Sequence, residues 1–131
     1  MACLDTSILI ALIRKDQGAI DGLRAETERG STISTTAVNL CELYSGAYRS
    51  RDPQKELARV KELVSHLDLL VLDAGAAKRY GALVNDAALR KEPIGDFDMI
   101  IASIALEHNE KLVTRNLRHF RKVPGLAVEK W

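Results

Sequence analysis

The amino-acid sequence predicts an α/β protein, a three-layer α/β/α sandwich around a mostly parallel sheet of four or five strands. Short β-branched or aliphatic segments alternate with longer segments of helical period, the pattern of parallel strands joined by crossover helices. The chain has 131 residues, 47% of them hydrophobic and 28% charged. That suits one compact domain over residues 1–131, able to fold without disulfides or a structural metal.

Each element has a local reason. Ala2–Leu4 is an apolar run that meets Asp5-Thr6-Ser7 and then the apolar Ile8–Ile13. It predicts a strand, a turn, and a helix opened by hydroxyl and carboxyl groups. Ile20–Arg29 predicts an amphipathic helix stopping at Gly30. Ser31–Thr35 is rich in β-branched residues and predicts a second strand. Ala37–Tyr48 has apolar residues at helical spacing, and Pro53 suits the first turn of a helix to about His66. Leu69–Leu72 predicts a third strand, with Asp73 capping a helix through Arg90. After Pro93-Ile94-Gly95, the segment from Asp96 to His108 predicts a helix whose middle is apolar almost all round, hence buried. Leu112–Thr114 predicts a fourth strand and Leu126–Glu129, after Pro124-Gly125, a fifth.

Composition excludes several classes. The net charge is +1, so nucleic-acid binding would need a local basic patch. Cys3 and Cys41 are too few for a secreted disulfide framework, and with three histidines they form no zinc spacing. Both cysteines are expected to be buried small hydrophobes. An acid at position 5 argues against a signal peptide, and no apolar stretch approaches the roughly 18 residues of a membrane span. A cytoplasmic protein with no membrane association is expected.

In open parallel sheets ligands collect at the carboxyl ends of the strands. Asp5-Thr6-Ser7 and Thr114-Arg115-Asn116 fall there, and Asp98 lies at a helix start. Gathered acids repel one another unless a cation compensates, and carboxylates with hydroxyl neighbours suit Mg²⁺ or Mn²⁺ over zinc. Taken singly, each residue has a plainer explanation. Asp5 is equally a helix cap, Asp96 and Asp98 are first-turn acids facing a helix dipole, Glu42 is a solvated glutamate, and Asn116 is a turn residue.

Read together, the segments resemble the PIN-domain family, specifically its VapC toxin type. Leu4-Asp5-Thr6-Ser7 is similar to the opening motif, and Val38-Asn39-Leu40-Cys41-Glu42-Leu43-Tyr44-Ser45-Gly46 to the second block, a helix bearing a glutamate. Pro93-Ile94-Gly95-Asp96-Phe97-Asp98-Met99-Ile100-Ile101-Ala102 resembles the third. Leu112-Val113-Thr114-Arg115-Asn116-Leu117-Arg118-His119-Phe120 resembles the fourth, and Val123 to Trp131 the closing strand. The resemblance spans nearly the whole chain in the right order.

This resemblance implies a Mg²⁺- or Mn²⁺-dependent endoribonuclease that cuts structured RNA, such as tRNA or ribosomal RNA loops. It places Asp5, Glu42 and Asp98 as the metal-binding acids, with Asn116 at the fourth position, occupied by Asp in many members. Thr6, Ser7 and Thr114 would support the acids through hydroxyl hydrogen bonds. It also implies a VapB-type antitoxin that holds the enzyme inactive, and a homodimer. Asp96 departs from the family pattern, as an extra acid near the metal or as the N-cap of its helix; the cap is favoured because Asp is among the best N-caps. His119 stands where an acid is common, and the three histidines show no spacing that suggests catalysis. For phosphate contacts Arg115 and Arg118 are the best-placed cations, with Arg14, Lys15, Arg49, Arg51, Arg121 and Lys122 behind them.

Two other readings compete. A PIN fold that binds RNA or protein without cutting has no need of clustered acids. A phosphoacceptor receiver domain needs an acceptor aspartate after a buried central strand and a lysine after a late one; Asp52 and Lys111 meet neither condition.

Overall fold

The computed structural model describes residues 1–131. Five parallel strands form one sheet in the order β3-β2-β1-β4-β5, namely β1 (Ala2–Leu4), β2 (Ile33–Thr36), β3 (Asp68–Leu70), β4 (Lys111–Val113) and β5 (Val128–Glu129). The sheet is thus wholly parallel, and all five expected strands are present.

Strand alternation divides the core. Ala2, Leu4 and Val113 point into one cluster with Ile8, Leu9, Leu43, Ala47 and Val60. These come from helices α1 (Thr6–Ile13), α3 (Ala37–Arg49) and α4 (Pro53–Val64). Cys3 and Leu112 face the opposite cluster, with Leu83, Leu89, Met99, Ile101, Ala102 and Phe120. Those belong to α5 (Ala74–Val84), α6 (Ala87–Lys91), α7 (Asp96–Glu107) and α8 (Leu117–Phe120). Successive side chains on a strand face opposite ways, so a three-residue strand serves both layers. The remaining helix, α2 (Gln17–Glu28), packs beside α1. Trp131 closes over it at Gly22, where a Cβ would lie 2.3 Å from the indole ring.

Aspartates start many of the helices. Asp16, Asp52, Asp73 and Asp86 each accept a backbone N–H from the first turn that follows. Each such cap contributes about 1 kcal/mol. The cap at Asp86 explains one departure from expectation: the helix expected from Asp73 to Arg90 breaks at Asn85, and Asp86 starts α6 afresh. A second departure concerns Asp96. Gly95, with φ 96°, is the N-cap of α7, while Asp96 lies within the first turn, exposed and capping nothing. Only a residue without Cβ enters that left-handed region without strain, so glycine took the cap position. Third, Cys41 is exposed, unlike the buried Cys3. The core-facing side of α3 is formed by Asn39, Leu43 and Ala47, which leaves position 41 outside. No helix is long and apolar enough to cross a membrane.

Strand order decides where the site can form. From β1 the chain runs outward to β2 and β3, then returns to the other side of β1 for β4 and β5. The crevice between the carboxyl ends of β1 and β4 is therefore a topological switch point, where crossovers leave in opposite directions and a ligand finds room.

Candidate active site

Asp5 follows β1 directly and is 6% exposed. Its backbone N–H donates to the Val113 carbonyl at 2.9 Å, which extends the β1–β4 pairing to the crevice. Oδ1 accepts from Asn39 Nδ2 at 2.9 Å, and Oδ2 accepts from Thr114 Oγ1 at 2.7 Å. A longer contact of 3.5 Å links Ser7 Oγ to Oδ2. Burial pushes the Asp5 carboxyl above the usual carboxylate range; the Thr114 and Asn39 donors and the Thr6 backbone N–H oppose this, and the charge of Asp98 reinforces it.

Glu42 occupies the first half of α3, half-buried rather than solvated. Thr6 Oγ1 donates to its Oε1 at 2.7 Å. Its carboxyl is raised chiefly by desolvation, opposed by the Thr6 hydrogen bond and reinforced by the charges of Asp5 and Asp98. The three acids thus come from three elements and feel one another, as an uncompensated like-charge cluster must. Asp98, in the first turn of α7, bonds through Oδ2 to His119 Nδ1 at 3.0 Å.

Hydroxyls fix this arrangement. Thr114 Oγ1 accepts from the Asn116 backbone N–H at 2.9 Å while donating to Asp5, and Ser7 Oγ accepts from the Arg115 backbone N–H at 3.0 Å. Asn116 reaches His119 through its side chain, Nδ2 to Nδ1 at 2.9 Å.

Two contributors lie outside the residues expected from sequence. Asn39, fully buried, donates through Nδ2 to both Asp5 Oδ1 and Thr6 Oγ1, each at 2.9 Å. Its Oδ1 accepts from the Thr36 hydroxyl at 2.7 Å in a capping box that opens α3. The signal was present as Thr36-x-x-Asn39 directly after a β-branched strand. The box has Asn in place of the usual Glu or Gln. His119 is the other: it touches both Asp98 and Asn116, although no histidine spacing pointed to it.

Some expected residues stand apart. Asp96 makes no hydrogen bond or ion pair within the site. Arg115 pairs with Asp16 and donates from Nε to the Trp131 carbonyl at 3.1 Å, which restrains its guanidinium. Arg118 is exposed with no ion-pair partner, and Arg14 lines a groove of about 350 Å³ that also contains Glu42. A larger groove of about 810 Å³, between the end of α1 and α4, contains none of the acids. Of the three acids the smaller groove takes in Glu42 alone.

The donor set fits a hard cation held loosely. No three His, Cys, Asp or Glu side chains stand close enough to enclose an ion by themselves. Glu42 Oε2 and Asp98 Oδ1 carry no protein hydrogen bond, whereas both Asp5 oxygens have donors. Magnesium keeps most of its waters and takes one or two carboxylates plus a substrate phosphate, so an open set of this kind suits it.

The sequence model of the PIN domain family matches residues 2–126. The chain belongs to the PIN domain family. This PIN domain is 35% identical over 128 residues to a tRNA(fMet)-specific endonuclease VapC of Shigella flexneri, covering 98% of this chain and 96% of that one. It is 28% identical, with the same coverage, to a Ribonuclease VapC2 of Rickettsia felis. Among solved structures it superposes on VapBC2 of Rickettsia felis bound to a promoter DNA fragment, at TM-score 0.92 and 27% identity, covering 99% and 98% of the chains. DNA-bound VapBC of Salmonella typhimurium gives 0.89 and 32%, covering 99% and 97%. PIN nucleases generally depend on a divalent metal.

Proposed function

We propose that this PIN domain is a VapC-type endoribonuclease that cuts structured RNA with Mg²⁺ or Mn²⁺ and is held inactive by a VapB-type antitoxin. The carrying observation is the convergence of Asp5, Glu42 and Asp98 at the switch point, where Asp5 and Glu42 have raised pKa values and no protein cation neutralises them. Such a site costs stability unless a cation and a substrate phosphate complete it. The names of the Shigella and Salmonella relatives favour tRNA among the possible substrates.

Asp5, Asp98 and Glu42 would hold the ion. A bound divalent ion would neutralise charge on the scissile phosphate and lower the pKa of a water. Glu42 Oε2, which carries no protein hydrogen bond, would take a proton from the attacking water. The water oxygen would bond to phosphorus as the bond to the ribose 3′-oxygen breaks, and that oxygen would take a proton from solvent, giving 5′-phosphate and 3′-hydroxyl ends. Thr6, Thr114 and Asn39 hold the carboxylates in position. Asn116 adds a hydrogen-bonding group without charge, and Asp96 stays outside this set. Arg118, Arg14 and the remaining donor capacity of Arg115 would meet the RNA backbone. The antitoxin partner is proposed from the VapBC relatives and a homodimer from the family resemblance, and light scattering of the isolated chain and of the co-purified complex checks both.

The test is cleavage of purified tRNA and ribosomal RNA by antitoxin-free protein in Mg²⁺, Mn²⁺ or EDTA, beside Asp98→Asn. Discrete fragments with 5′-phosphate ends that vanish in EDTA and in the variant are expected. Folded, metal-supplied protein that cuts neither RNA overturns the reading.

A further inference from the structure

His119 stands in a geometry that its sequence neighbourhood did not suggest. It lies on α8, and its Nδ1 is 3.0 Å from Asp98 Oδ2 and 2.9 Å from the Asn116 amide, while Nε2 has no protein partner. One imidazole nitrogen cannot both donate to a carboxylate and accept from an amide N–H. A hydrogen bond to an ionised carboxylate is the stronger of the two. With Asp98 ionised, Nδ1 therefore carries the proton, and the Asn116 amide presents its oxygen as a second acceptor for that N–H. The ring thus presents Nδ1–H toward Asp98, and Nε2 has no protein partner.

This arrangement restrains Asp98. Its carboxylate sits in the first turn of α7, partly exposed, and could rotate about its side-chain bonds. The His119 hydrogen bond pins Oδ2 and leaves Oδ1 without a protein partner. Asn116 pins the imidazole in turn, and its own backbone N–H is tied to Thr114 Oγ1, which bonds Asp5. A chain of hydrogen bonds thus runs from Asp5 through Thr114, Asn116 and His119 to Asp98, joining the two acids around the crevice.

The geometry points to His119 as a positioning residue that sets the Asp98 carboxylate for cation binding through Nδ1, not through Nε2. The inference rests on the proposed metal role of Asp98. Replacing a group that orients a metal ligand weakens metal affinity about 10- to 100-fold.

The experiment titrates Mn²⁺ into metal-free protein by calorimetry, with the wild type, His119→Ala, His119→Asn, His119→Gln and Asp98→Asn in parallel. Asn places an N–H near the position of Nδ1, and Gln places one near Nε2. Expected are at least about a tenfold loss of Mn²⁺ affinity in His119→Ala, recovery to within about threefold in His119→Asn, and no recovery in His119→Gln. If His119→Ala does not fold, the Asn and Gln proteins decide the matter alone. Wild-type affinity in His119→Ala, or Gln restoring as well as Asn, overturns the positioning role while Asp98→Asn still loses binding. Undiminished binding by Asp98→Asn overturns the metal reading, and this inference with it.

Discussion

The two ends of β4 hold carboxylates in opposite electrostatic states. At the Lys111 end, Glu26 of α2 is 1% exposed, yet Lys111 and Arg29 both bond to it, and Lys111 also reaches Glu129 at 2.7 Å. Burial alone would raise the Glu26 carboxyl, but hydrogen bonds from Lys111, Arg29 and Ser31 outweigh it and hold it at about 2. At the Thr114 end, Asp5 and Glu42 are also desolvated, but they receive only neutral donors and face other acids, so their pKa values move upward. A few residues of one strand separate a charge cluster that binds the fold together from one that works against it. A buried carboxylate is held ionised where cations meet it, and where they do not it is a candidate for a ligand site.

Substitutions at each end should therefore act in opposite directions. The largest effect is expected from Asp5→Asn, which should lower RNA cleavage about 100- to 1,000-fold, roughly 3–4 kcal/mol in the barrier, without loss of folding. Equal loss of activity and thermal stability would show that Asp5 serves the fold instead. Next comes Glu26→Ala, which removes the acceptor shared by Lys111 and Arg29, leaves Lys111 with Glu129 alone and should cost about 2 kcal/mol of stability in urea unfolding, with cleavage by the folded fraction unchanged. A cost below that of an ordinary surface change would dissolve the contrast between the two ends.

Smaller and of the opposite sign is Glu42→Gln. Removing one of the mutually repelling charges should raise the stability of the metal-free protein by about 1 kcal/mol, a few degrees in Tm, and abolish part of the stabilisation that Mg²⁺ confers. A lower Tm would mean that the Thr6–Glu42 bond outweighs the repulsion.

The finest contrast lies in pH. Glu26 has a lowered folded pKa, so its contribution is complete above the ordinary glutamate range and is lost as pH falls toward about 2. Asp5 and Glu42 have raised values; they favour the metal-free fold while protonated, and that advantage disappears as pH rises through their folded pKa values. Calorimetric scans of metal-free protein should show the Glu26→Ala difference shrinking toward acid pH and the Glu42→Gln gain appearing only above the carboxylate range. Mg²⁺ affinity should fall as protons reclaim the same oxygens.

Much of this was legible along the chain. Strand and helix periodicity predicted the alternation, and Asp5 and Thr114 were located by where their strands end. Errors fell where local preference met tertiary demand. Asp96 has good cap chemistry, but Gly95 alone could take the backbone turn into α7. Cys41 is chemically a core residue, yet the register of α3 turned it outward. Glu42 reads as solvated from its own helix alone, because Thr6, which bonds it, comes from another.

By itself the sequence determined the α/β class, the parallel strands and the list of acids available for chemistry, because periodicity and residue type are local properties. Only the tertiary structure decided which acids meet. The reversal of strand order between β1 and β4 brings residues 5, 42, 98 and 119 into one crevice, with Asn39 buried between Asp5 and Thr6. Whether a carboxylate is neutralised, as Glu26 is, or left to repel its neighbours, as Asp5 is, depends on what distant segments bring to it.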